Sequence, residues 1–181
     1  ISYCDTKTRE LDFYKVLSSS FSTTGVQAYV LDSIIEMFNI KVQDYLSSVW
    51  PITSYRLNTF KETSKGVVTA KLSEQLTMNG VQVSIGSLSG GELRALSICT
   101  DLAMVSTLEQ YLGIKLNPII MDEPFDGLDS VGRELVIELL EALFIDRCAV
   151  IVDHSSEAKA MFSKTIKVEK TNGISNVICS L

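Results

Sequence analysis

The sequence holds a single histidine, a single tryptophan and three prolines in 181 residues. No uninterrupted apolar run approaches the roughly 20 residues that a membrane-crossing helix needs, and no basic-then-apolar leader opens the chain. The expectation is a soluble protein that is not secreted. A C-x-x-C pair is also missing. Cys4, Cys99, Cys148 and Cys179 are scattered, which argues against a zinc site or a disulfide framework and for reduced, mostly core-filling thiols in a cytoplasmic protein. Positive charge is scarce: 16 Lys and Arg against 22 Asp and Glu leave a net charge of −6. That balance excludes a global attraction to nucleic acid or anionic membrane, so any DNA contact must be local or come from elsewhere in an assembly. There is no internal repeat and no low-complexity linker.

What is present is a 46% hydrophobic chain able to bury one sizeable core. It opens on Ile1 rather than Met, and is expected to be a piece of a longer polypeptide. Apolar residues at Leu11, Tyr14, Leu17 and Phe21 recur at helical spacing. After a break at Ser22 to Gly25, a second helix is expected with Val30, Ile34, Met37, Phe38 and Tyr45 on one broad face and Pro51 past its end. The stretches "ITSYRLNTF", "GVVTAKLS" and "QLTMNGVQVS" read as β-prone pieces, and Asn79-Gly80 as a tight hairpin turn.

From Ser89 onward helices and apolar strands alternate. A helix over about 91–112 precedes "NPIIMD" as a buried strand; a helix over about 130–144 precedes "CAVIVD" as another. A helix near 156–162 follows, then "SKTIKVEK" and "SNVICSL" around Asn172-Gly173. Continuous apolar strands, each followed by a helix, predict an α/β fold with a mostly parallel sheet covered by helices on both faces. Leu135, Leu139 and Leu143 are expected in the core.

Three stretches carry chemistry. In "PIIMDEPFDGLD", Asp122 and Glu123 end a buried strand, where open α/β sheets place their ligands. An acidic pair there suits Mg²⁺ together with activation of a water for attack on phosphate. The competing reading is an acidic turn. In "SLSGGEL", Ser89 precedes Gly90 and Gly91 at the mouth of a long helix, whose free N–H groups and positive dipole end favour an anion. Glu92, three residues after Ser89, predicts a capping box, which accounts for the serine and the glutamate but not for two consecutive glycines. His154 follows the second buried strand, one crossover after Asp122-Glu123, and so lies at the same sheet edge. An imidazole there can donate a hydrogen bond to a γ-phosphate.

Together these stretches resemble the ABC-type ATPases. Leu88-Ser89-Gly90-Gly91-Glu92 looks like the signature, Ile119-Ile120-Met121-Asp122-Glu123 like the Walker B strand, Gly127-Leu128-Asp129 like the D-loop and His154 like the switch histidine. By that resemblance Asp122 would hold Mg²⁺ through water, Glu123 would be the general base, and His154 would sense the γ-phosphate. Ser89 and Gly91 would bind the γ-phosphate of ATP held by the opposite protomer, and Asp129 would work across the dimer interface. One element is missing. The phosphate-cradling loop G-x-x-x-x-G-K-[ST] has only one near match, Gly86 to Leu93, with Glu92 in place of the lysine.

The implied architecture is therefore the C-terminal lobe of an ABC-type P-loop ATPase head, with a β-rich section before the signature helix and its Walker A lobe elsewhere. The upstream stretch "FSTTGVQAYVLDSIIEMFNIKVQDYLSSV" is similar to the segment where the returning coiled coil meets this lobe in SbcC and Rad-fifty proteins, within the branch whose long coiled coil separates the two lobes. Residues 1–22 would end the coiled-coil arm or form the lead-in helix, and 23–181 would be the lobe. Within that branch the SbcC type is favoured over cohesin or condensin types, with phage recombination-nuclease subunits among the sources. Asp153-His154-Ser155 departs from the common Thr-His, and Phe125-Asp126 from the usual polar pair.

The resemblance implies an ATP- and Mg²⁺-dependent head dimer acting as a clamp in a DNA-repair nuclease complex. Its partners would be double-stranded DNA and an Mre-eleven/SbcD-type nuclease, without a membrane, in the cytoplasm at the nucleoid or in a eukaryotic nucleus. A transporter ATPase lobe, an SMC-type chromosome-organising head and a non-hydrolysing degenerate lobe are the alternatives. Arg56, Lys61, Lys65 and Lys71 are candidate DNA-phosphate contacts, although Glu62 and Glu74 interrupt the patch and favour a solvated face.

Overall fold

The computed structural model describes residues 3–22, 25–64, 67–162 and 164–180, the side chains of 60–64, 67–70, 156, 179 and 180 excepted. Helix α1 (Tyr3–Ser20) buries none of its residues. Helix α2 (Val26–Val49) buries Ile35, Phe38, Asn39, Val42, Tyr45, Leu46 and Val49, a stripe at three-to-four spacing. Phe38 and Tyr45 lie on it as expected, while Val30, Ile34 and Met37 flank it half-buried.

Strands β1 (Thr53–Ser64), β2 (Val67–Met78) and β3 (Val81–Val83) form an antiparallel sheet in that order. Two of the expected β pieces fuse into the single strand β2. Asn79 and Gly80 join β2 to β3 with φ of 51° and 77°, the left-handed pair that a two-residue hairpin demands. Arg56 pairs with Glu36 at 3.0 Å on an exposed face. Lys71 is exposed, while Lys65 and the side chain of Lys61 lie outside the described residues.

Helix α3 (Gly90–Leu112) buries Ala95, Leu96, Ile98, Cys99, Leu102, Ala103 and Thr107, and joins α2 and α4 (Ser130–Leu143) in the core. Cys99 fills the core as expected, its thiol pushed up to about 12 by burial. Cys4 and Cys148, expected inside, are exposed. In α4 the core positions are Val136, Ile137, Leu139 and Leu140, with Leu143 packed against them and Leu135 half-buried.

Strands β4 (Ile119–Asp122) and β5 (Ala149–Val152) pair in parallel, Ile119 opposite Ala149 through Asp122 opposite Val152. This is the parallel sheet expected from the sequence, here two strands wide. A short helix α5 (Ser156–Ala160) leads to the hairpin β6 (Thr165–Thr171) and β7 (Ile174–Ser180), which turns at Asn172-Gly173 as anticipated. Ile119, Met121 and Ile151 face the core. The opposite face is bare: Ile120 is 67% exposed, Val150 41% and Val152 51%. The expected helical cover therefore exists on one face only among the described residues. No helix among them is long and apolar enough to cross a membrane.

Polar contacts also tie the layers together. β1 is an edge strand, and its orphan backbone groups at Leu57 are met by one side chain of α2. Asn39 accepts from Leu57 N–H at 2.8 Å and donates to Leu57 C=O at 2.9 Å. Below, Glu109 near the end of α3 accepts from Arg147 and from the Leu116 N–H. Both ends of that ion pair are 11% exposed, so solvent screens it little.

Replacing Asn39 with leucine leaves a buried donor and acceptor unpaired on the β1 edge. The expected cost is about 2 to 4 kcal/mol, read as a lower urea midpoint at unchanged m-value. An unchanged midpoint would mean that the edge is satisfied without Asn39.

Candidate functional site

The β4–β5 ladder continues one residue past its strands, because Glu123 N–H donates to Val152 C=O at 2.8 Å. That register places Glu123 and His154 side by side at the carboxyl end of the sheet. Glu123 Oε1 lies 3.2 Å from His154 Nδ1, with the side chains 51% and 77% exposed. Asp153 Oδ1 accepts from Ser155 N–H at 2.7 Å, and Ser155 caps α5, so the loop bearing His154 is pinned on its C-terminal side. Asp126, Gly127, Arg133 and Asp153 complete a shallow cleft around the pair.

Glu123 has φ of +47° and precedes Pro124. Left-handed backbone in a residue with a side chain costs about 1 to 3 kcal/mol and persists only where surroundings enforce it. The enforcing contacts fall on its carbonyl, which accepts from Asp126 N–H at 3.3 Å and from Arg94 Nη2. Arg94 Nε also donates to Pro124 C=O at 3.1 Å.

Beyond the turn, Phe125 is buried and stacks on Phe162 at 6.2 Å between ring centroids. Phe125, which departs from the usual motif, is thus a core anchor for the loop, whereas Asp126 is exposed. Asp129 caps α4, its Oδ1 accepting from Gly132 N–H at 2.7 Å.

The Ser89–Glu92 turn sits against this loop. Ser89 caps α3 in a full capping box: its hydroxyl accepts from Glu92 N–H and donates to Glu92 Oε2 at 2.7 Å, and its backbone N–H donates to the same oxygen at 2.8 Å. The Ser89 backbone N–H, and next its hydroxyl, hold the Glu92 carboxyl below the usual carboxylate range. The two glycines separate in role. A Cβ on Gly91 would lie 2.9 Å from the Gly127 carbonyl oxygen, so Gly91 is required by close packing of the helix on the Gly127 loop. A Cβ on Gly90 would meet nothing within 4 Å among the described residues. Packing inside the chain thus accounts for one glycine and leaves the other facing open space.

The structure brings Glu123 together with His154, and the turn of Ser89 to Glu92 together with the loop of Gly127 to Asp129. Leu88 is half-buried against the core beneath that turn, and Asp122 lies on the exposed side of β4. Sequence reasoning missed Arg94 and Arg133. Arg94 was detectable in principle, since it stands four residues after Gly90 and so on the same helical face. Arg133, held by Glu157, gives no comparable signal.

Asp122 and Glu123 offer the carboxylate oxygens that a hard divalent cation takes. No group of three or more His, Cys, Asp or Glu side chains suited to a metal occurs among the described residues.

No family model matches the chain. The DNA double-strand break repair Rad50 ATPase of Thermoplasma acidophilum is 29% identical over 167 residues, covering 90% of this chain and 17% of that protein. The chain thus spans about a sixth of the length of the curated relatives it matches. An Smc head bound to the C-winged helix domain of ScpA superposes with a TM-score of 0.69 at 18% identity, over 84% of this chain and 45% of the head. A second solved chain, from work on ATP-driven dimerisation and DNA-stimulated activation of SMC ATPases, gives 0.64 at 20% identity over 84% of this chain and 89% of its own. In class, the fold is that of the SMC ATPase heads. In particular, its named relatives in sequence are Rad50 ATPases, at 27% to 29% identity over most of the chain.

Two outcomes follow from the capped turn. Gly91→Ala is expected to destabilise the lobe by about 1 to 2 kcal/mol, while Gly90→Ala is neutral or stabilising by up to about 1 kcal/mol; chemical denaturation of both variants decides. Glu92 has a lowered folded-state pKa, so its contribution is present above the unfolded value of 4.5 and is lost as pH falls through the lower folded value. The stability gap between the parent and Glu92→Ala should accordingly close in acid, and a gap independent of pH would deny the carboxylate its part in the cap.

Proposed function

We propose that the chain is the C-terminal lobe of an ATP-hydrolysing head that works as a dimer on double-stranded DNA in break repair or recombination. The observation that carries this reading is the Glu123–His154 pair, 3.2 Å apart at the ends of two parallel strands, with the signature turn packed on the loop between them. In this reading residues 1–22 end a coiled-coil arm, and an Mre-eleven/SbcD-type nuclease is the partner that the cycle gates.

The roles follow from chemistry. Glu123 accepts a proton from the attacking water. His154 keeps Nδ1 on Glu123 and would present its other ring nitrogen to the γ-phosphate. Asp122 would hold Mg²⁺ through water, and the bound cation would supply charge neutralisation at the phosphate. Leu88 seats the turn from which Ser89, Gly90 and Gly91 meet the γ-phosphate bound by the opposite head, where aligned helix N–H groups favour an anion. Glu92 organises that turn, and Asp129 faces the dimer seam.

Two features support an incomplete site. The chain has no lysine in a phosphate-cradling loop, and the outer face of β4 and β5 is bare and apolar at Ile120, Val150 and Val152. A Walker A lobe covering that face would supply both the burial and the lysine.

The test is ATP hydrolysis by the complete head, this segment joined to its Walker A lobe, with and without linear duplex DNA. Turnover should rise with DNA, and Glu123→Gln should lower it at least about 100-fold while ATP binding persists. Hydrolysis indifferent to DNA would shift the reading to a transporter-type or other ABC ATPase, and unchanged turnover in Glu123→Gln would remove Glu123 as the base.

A further inference from the structure

Helix α3 is fastened to the segment that carries Glu123 at two points. Gly91 lies against the Gly127 carbonyl, and the Arg94 guanidinium reaches the consecutive carbonyls of Glu123 and Pro124. The second contact bears on an unusual backbone. Glu123 adopts φ of +47° although a residue before proline is pushed toward extended conformations, and left-handed backbone is uncommon for a residue with a side chain. Three hydrogen bonds hold it there. One comes from the strand ladder through Val152, one from the turn through Asp126 N–H, and the third from α3 through Arg94.

A guanidinium presents its donors in a rigid plane and can serve two neighbouring acceptors at once; a lysine ammonium concentrates its charge at one point on a flexible stem. Arg94 is half-buried, which limits competition from water. It also lies four residues after Gly90, one helical turn along the same face. Whatever engages the open side of the Ser89–Gly90 turn therefore acts on the helix that grips the Glu123 peptide.

We infer that Arg94 is a positioning residue: it holds the Glu123 peptide in the left-handed conformation that sets the carboxylate beside His154, and makes that geometry depend on the position of α3. This rests on the reading of Glu123 as general base. The coupling runs from the turn proposed to meet one head's nucleotide to the base proposed to act on the other's. Gly91 adds a packing contact to the same link, against the Gly127 carbonyl, while Arg94 supplies its hydrogen bonds.

The experiment uses the complete head and compares Arg94→Gln, Arg94→Lys and Glu123→Gln with the parent. It reads kcat, KM for ATP, the pH–rate profile, thermal midpoint, and head dimerisation with a non-hydrolysable ATP analogue. Arg94→Gln should lower kcat about 10- to 100-fold, the scale set by an ångström of misplacement. KM and analogue-driven dimerisation should stay within about threefold, and Arg94→Lys should recover part of the loss. A folded Arg94→Gln head with kcat within about twofold of the parent would overturn the inference, as would equal losses in kcat, affinity and dimerisation. Should Arg94→Gln not fold, Arg94→Lys decides: lowered kcat at unchanged KM supports the role, and full kcat ends it. Turnover at the parent rate in Glu123→Gln would instead strike the underlying reading of the base, and the positioning role with it.

Discussion

The first two turns of α3 rest directly on the chain leaving β4, and the geometry of the site depends on that contact. The Gly127 carbonyl approaches Gly91 so closely that no Cβ fits between them. Arg94 then grips the two carbonyls that precede the loop. Because packed surfaces are dense and yield little, the helix and the loop form one mechanical unit. Ser89 with its capping box, Asp129 as the cap of α4, and Glu123 in its left-handed turn are all fixed relative to one another through it.

That unit is supported from one side only. α2, α3 and α4 share a core with Phe125 and Leu128 from the loop and with Met121 and Ile151 from the strands. The apolar side chains of β4 and β5 alternate between this core and open space, as the two-residue period of a strand requires. A lobe so built has a finished face and an unfinished one. The unfinished face adjoins the carboxyl ends of β4 and β5, where Glu123 and His154 meet, so completing the fold and completing the site are the same event in the proposed function.

Much of this was legible where a short-range rule operates. Asn79-Gly80 and Asn172-Gly173 specify tight turns because left-handed backbone is cheap at those residues, and both turns are present. Ser89 and Glu92 specify a capped helix start, and α3 begins there. The two apolar runs ending in Asp122 and Val152 specify strands, and a parallel pairing in register sets Glu123 beside His154. The second glycine of the signature was harder to read. The demand on Gly91 comes from a carbonyl 36 positions away, which no local pattern announces. Asn39 and Phe125 were opaque for the same reason, since each acts through a partner distant in sequence or through burial that only the assembled core creates.

The amino-acid order by itself determined the turns, the helix cap and the placing of the acidic pair and the histidine at strand ends, because these follow from backbone preferences and periodicities within a few residues. Only the tertiary structure decided which face of β4 and β5 stays bare, which of two adjacent glycines is sterically required, and that an arginine of α3 holds the peptide of Glu123. Those outcomes depend on the distances between elements, and such distances are set by packing many side chains at once.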